Sequence, residues 1–198
     1  MQDLQTPTET HPLPPFTPPN AHVLILGSFP PPRARWKMDF YYPNFNNDFW
    51  RIMGLVFFND KDKFIDGVNK GFSQENIEQF LKGVGIAISD GAYQIKRLNN
   101  NASDKFLEVV TAMDIAKILA DLPNCQAIIT TGEKATQILC AHYGDDGNAP
   151  KVGQSCMLTI DGVPIPLYRL PSSSRAYPLA LNKKAQVYRQ VFGSVGLI

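Results

Sequence analysis

The 198-residue chain has only three cysteines, no apolar run long enough to cross a bilayer, and a formal net charge of +1. Cys125, Cys140 and Cys156 are odd in number and widely spaced. That argues against a disulfide framework and matches no zinc or iron–sulfur spacing, and a buried thiol is the expectation for Cys125 and Cys140. The N-terminus lacks the basic-then-apolar order of a secretory signal, so a cytoplasmic location is expected. Balanced charge neither supports nor excludes a nucleic-acid partner, because basic residues can be placed locally. Neither glycine pattern that cradles a dinucleotide or a nucleoside triphosphate occurs, and no metal-ligand cluster is visible. No cofactor and no metal are therefore expected.

What the chain does have is 44% apolar residues, enough to build the core of one globular domain. Residues 1–20 carry Pro7, Pro12, Pro14, Pro15, Pro18 and Pro19 and few large apolar side chains. They read as an extended arm, draped over the domain or disordered, ahead of a single domain spanning 21–198. His22–Gly27 is a short, continuously apolar run of the kind buried on both faces of a parallel sheet. Val84–Ser89 and Gln126–Thr131 repeat the pattern, and Met157–Ile160 and Val163–Leu170 flank the hairpin-type turn Asp161-Gly162. Helical spacing predicts helices over 46–58, 73–82, 111–122, 133–143 and 178–192. The alternation predicts a three-layer α/β/α sandwich with a mostly parallel central sheet of about four strands plus a small hairpin.

Three loops carry the chemistry. Gly27-Ser28-Phe29-Pro30-Pro31-Pro32 turns sharply off a strand, and its prolines stiffen the rest of the loop. Phe40, Tyr41 and Tyr42 precede Pro43, and Asn44, Asn46, Asn47 and Asp48 come next, before Phe49-Trp50. Flat rings offer a stacking platform, and amides can hold water or a base edge. Helix capping explains one of these polar residues, but not three amides and a carboxylate within five positions. Leu170-Pro171-Ser172-Ser173-Ser174-Arg175 offers small hydroxyl residues that let a backbone approach phosphates, together with one planar cation. In a parallel sheet, loops at the carboxyl ends of strands gather at one edge, where ligands bind.

These residues resemble the uracil-DNA glycosylase superfamily, most closely its hypoxanthine-DNA glycosylase group. The likeness rests on Gly27-Ser28-Phe29-Pro30, then Tyr41-Tyr42, then Asn47-Asp48-Phe49-Trp50, and finally Leu170-Pro171-Ser172-Ser173-Ser174, in the family's order and over about residues 22–190. The loop ending in Arg175 is also similar to that of the mismatch-specific uracil glycosylases. The resemblance implies hydrolysis of the bond between sugar and a deaminated base (uracil, hypoxanthine or xanthine) that has been turned out of DNA. It implies that Asn47 acts in catalysis, that Tyr42 stacks on the base, and that Asp90 lies near the base. Ser172, Ser173, Ser174 and Arg175 would grip the DNA. The chemistry adds Asp48 as a second catalytic candidate, stabilising the developing sugar cation, and the Ser28-Phe29 backbone as a receiver of charge on the base. The implied partner is DNA containing a damaged base, bound by a monomer. Three positions depart from the family pattern. Pro31 replaces a glycine, Ser89-Asp90-Gly91 replaces Trp-Asp-Val, and Thr130-Thr131-Gly132 stands where Phe-Asn-Gly is common. They leave two alternatives beside a glycosylase: a weakened member that only binds damaged DNA or a nucleobase, and an unrelated small-molecule enzyme.

Overall fold

The computed structural model describes residues 6–68, 70–101, 103–144 and 149–198. In chain order the elements are β1 (Thr8–Thr10), β2 (Val23–Gly27), α1 (Phe49–Phe58), β3 (Ile65–Asp66), β4 (Gly71–Phe72), α2 (Gln74–Val84) and β5 (Ile86–Asp90). Next come β6 (Ala92–Arg97), β7 (Leu107–Ala112), α3 (Ile115–Ala120), β8 (Ala127–Thr131), α4 (Glu133–Tyr143), β9 (Ser155–Ile160), β10 (Val163–Leu170) and α5 (Leu181–Ser194).

The central sheet has five strands in the order β5-β2-β8-β10-β9. β5, β2, β8 and β10 are mutually parallel, and β9 is antiparallel to β10. Every residue of β2, β5 and β8 is buried, which is why these segments read as unbroken apolar runs. Side chains alternate between faces. Val23, Ile25, Ile88 and Ile129 meet α1, α2 and α5 through Phe49, Trp50, Ile77, Tyr188 and Phe192. Leu24, Leu26, Ile128 and Leu167 meet α3 and α4 through Ile115, Ile118 and Leu139. Each large side chain buried this way contributes roughly 1.5–3 kcal/mol. The α/β/α layering results from that two-sided burial, with five central strands rather than about four.

A second sheet, β1-β6-β7, was not in the sequence-based expectation, and part of it takes the place of a predicted helix. The helix expected over 111–122 is only Ile115–Ala120, because Asp114 caps it by accepting from the Lys117 N–H at 2.9 Å. Thr111 and Ala112 instead complete β7 opposite Gln94 and Ala92. Residues 1–5 of the expected arm lie outside the described residues. Residues 8–16 are extended along the body: β1 pairs antiparallel with β6, and Phe16 bridges Ile88. No helix among the described residues is long and apolar enough to cross a membrane.

Candidate active site

Parallel pairing brings the carboxyl ends of β2, β5, β8 and β10 to one edge of the sheet, at Gly27, Asp90, Thr131 and Leu170. A cavity of about 520 Å³ opens there, lined by the Gly27–Pro31 loop, Tyr42, Asn47, Asp90, Thr131, Ser172, Ser173 and Ser174 among others. The three loops singled out from sequence share one site. Of the predicted residues, Ser28, Phe29, Tyr42, Asn47, Asp90, Ser172, Ser173 and Ser174 line it, whereas Asp48 and Arg175 do not.

The first loop is held from behind. Trp36 Nε1–H donates to the Pro31 carbonyl at 2.7 Å, and Arg97 donates to the Pro30 carbonyl at 3.1 Å. Both carbonyls are therefore committed, and the loop is rigid before any ligand arrives. Gly27 is required by space: a Cβ there would collide with the Asp90 carboxylate. The Phe29 ring is buried among Ala92, Ile95, Leu107 and Ile138, so its side chain anchors the loop to the second sheet.

Tyr42 is partly buried and stacks on Phe49 with ring centroids 3.8 Å apart and 10° between planes. Its φ of 51° is left-handed, a conformation that costs a non-glycine residue about 1–2 kcal/mol. Its hydroxyl shares a 2.6 Å hydrogen bond with Thr131 Oγ1. Burial, reinforced by the Asp90 charge, pushes the phenol well above its ordinary range, so it stays neutral. Thr131, which stands at the family's amide position, thus spends its hydroxyl on orienting Tyr42.

Asn47 joins the second loop to the third. It forms a β-bridge with Ser174, and the adjacent Asp48 N–H donates to the Ser173 carbonyl at 3.0 Å. Asn47 Oδ1 accepts from the Phe49 N–H at 2.9 Å, which satisfies an open donor of α1 and fixes the side chain. A second lone pair on that oxygen can accept from a water. Arg51 steadies the same turn by donating to the Phe45 carbonyl at 2.8 Å while its guanidinium lies 4.4 Å from the Phe45 ring.

Asp48 has a different place from the one expected. Its carboxylate is buried beneath the loops, accepting from Arg175 Nε at 3.0 Å and from Lys184 Nζ at 3.3 Å. Lys184 also donates to the Ser174 carbonyl at 2.8 Å. This carboxylate therefore ties the helix α1 start, the serine loop and α5 together rather than facing the cavity. Arg175 keeps half of its side chain in solvent.

Lys184, Asp104 and His11 were not among the residues expected from sequence. Lys184 had a legible signal, since it shares the buried face of α5 with Ala185, Tyr188 and Phe192. Asp104 lines the cavity from the short turn just before β7 and accepts from Ser28 Oγ at 2.9 Å. Its loss of hydration, with Asp90 nearby, raises its carboxyl above the usual carboxylate range. His11 Nε2 lies 2.9 Å from Asp90 Oδ2 in the interior, and no local pattern announced it. Among the described residues no group of His, Cys, Asp or Glu is arranged to hold a metal ion.

No protein-family model and no curated protein matches the sequence. A solved structure does: the solution NMR structure of a "putative uracil DNA glycosylase" from Methanosarcina acetivorans, 21% identical, with a TM-score of 0.62. The match covers 94% of this chain and 98% of the other. The chain therefore shares its fold, nearly end to end, with that structure.

Proposed function

We propose that this protein is a monofunctional DNA glycosylase that hydrolyses the bond between sugar and a deaminated base turned out of DNA. The observation that carries this is the gathering of all three motif loops around one cavity at the carboxyl edge of the sheet. In this scheme the base enters between the Gly27–Pro31 loop and Tyr42, which offers a ring already stacked on Phe49. Asn47 Oδ1 uses its remaining lone pair to hold the attacking water on the sugar. Water adds to the sugar carbon as its bond to the base nitrogen breaks, the electron pair leaves with the base, and the proton the water sheds ends on the departed base anion, directly or through solvent. Backbone N–H groups of Ser28 and Phe29 receive that charge. Ser172–Ser174 lie against the DNA backbone, and the exposed half of Arg175 contacts a phosphate.

The test is a release assay on duplexes carrying uracil, hypoxanthine or xanthine opposite each normal base. Release of at least one is expected. No release of any of them by folded protein would overturn the proposal. Tight lesion binding without release would instead favour a binding role, which the commitment of Thr131 to Tyr42 makes the runner-up.

A further inference from the structure

The N-terminal arm backs the cavity at two places. Glu9 takes both Arg97 Nε at 2.9 Å and Arg97 NH2 at 3.0 Å, and the same Arg97 holds the Pro30 carbonyl of the first loop. Two residues further on, His11 is 7% exposed and its backbone N–H donates to the Tyr93 carbonyl at 2.8 Å. Its ring packs edge-on against Phe29 with centroids 5.3 Å apart and lies over Tyr41 at 6.0 Å.

The imidazole sits between two acceptors. Nε2 faces Asp90 Oδ2 at 2.9 Å, and Nδ1 faces the Leu13 carbonyl at 2.8 Å. Donating to both acceptors at once requires the doubly protonated imidazolium. The Leu13 N–H is also placed to donate to Nδ1, at 3.2 Å. When Nδ1 loses its proton, that N–H takes over, while Nε2–H still donates to Asp90. The hydrogen bond to Asp90 survives both states, and only the charge of the pair changes, from zero to minus one.

Asp90 is 5% exposed, lines the cavity, and packs Oδ1 over Gly27. An unpaired carboxylate in that position would oppose negative charge growing on a departing base. We propose that His11 is a positioning residue of this cavity: it holds the Asp90 carboxylate in place and, as imidazolium, cancels its charge while an anionic base departs. The inference rests on the base-excision function proposed above. It makes the arm part of the site, and it selects bases that leave as anions and present an N–H to the fixed carboxylate.

The other ionisable groups around the pair are Tyr41 and Tyr42, Asp104, and the Arg97–Glu9 pair. Burial, with Asp90 adding to it, pushes the two phenols up, so both stay neutral. Burial, with the Asp90 charge adding to it, also raises the Asp104 carboxyl. His11 itself, although burial alone would lower it, is held above its ordinary 6.5 by Asp90.

Single-turnover release rates should be measured from pH 5.5 to 9 for the wild type, His11→Gln and His11→Ala, with circular dichroism as the check on folding. In the wild type, release should fall about tenfold as pH rises through the His11 titration. His11→Gln keeps a donor but never carries charge, so its profile should be flat at the wild type's high-pH rate. His11→Ala loses the positioning as well and should fall by up to about 100-fold at all pH values. Wild-type rates and pH profile in both His11 variants would overturn the role of His11 and leave the glycosylase proposal standing. A wild type silent on every base would overturn that proposal and this inference with it.

Discussion

Asp48 gives the sharpest test, because one carboxylate joins two cations in very different surroundings. The Lys184 side chain is 1% exposed and that of Asp48 10%, whereas that of Arg175 is 50% exposed. Removing the carboxylate by Asp48→Ala strands a buried ammonium whose remaining partner is the Ser174 carbonyl. Breaking a buried pair from one side costs about 3–5 kcal/mol, a large share of the roughly 5–15 kcal/mol that a domain has. Arg175→Ala removes a solvent-screened partner, so its cost should stay below about 1 kcal/mol. With a urea m-value of about 2 kcal/mol/M, Asp48→Ala should lower the unfolding midpoint by about 1.5–2.5 M. Arg175→Ala should lower it by less than about 0.5 M. The double variant Asp48→Leu with Lys184→Met removes both charges and should recover much of the loss. Equal costs for Asp48→Ala and Arg175→Ala, or a cost under about 1 kcal/mol for the first, would refute the burial argument. The carboxylate would then be free for chemistry after all.

Asn47→Ala should abolish base release while leaving binding of an abasic-site analogue largely intact. It should also cost about 1 kcal/mol of stability through the lost Phe49 contact, and undiminished release would assign catalysis elsewhere. Gly27→Ala drives a methyl group into Asp90, and about 1–3 kcal/mol of destabilisation with loss of release is expected in unfolding and activity assays. Arg175→Ala should weaken binding to undamaged DNA and reduce the salt slope of log affinity by about one, read by fluorescence polarisation. For Asp104 the sign is set by a native pKa raised above 3.8: the folded state holds its proton more tightly, so stability falls as pH rises through that raised value. Asp104→Asn should therefore raise the melting temperature at pH 7 relative to the wild type, with little change at pH 3.

Local sequence determined the parallel sheet and its loops. β2, β5 and β8 are buried on both faces, so their apolar runs needed no knowledge of the fold to be recognised. Parallel pairing then put the loops at their carboxyl ends on one edge, which is why Ser28, Tyr42, Asn47 and the serine loop converge as expected. The second sheet was hidden because β6 and β7 are half-exposed strands, and β6 finds its other partner in the arm, as in the Gln94–Thr10 contact across 84 positions. Asp48 was misplaced for a related reason. A carboxylate beside the Asn47 amide looks reactive in sequence, but Lys184 lies 136 positions further on and only packing brings its charge underneath. His11 and Asp90, 79 positions apart, are the same case at the other side of the cavity. Residue type and spacing picked out the loops that line the cavity. The burial of charge, which depends on partners distant in the chain, decided which side chains face the cavity and which hold it together.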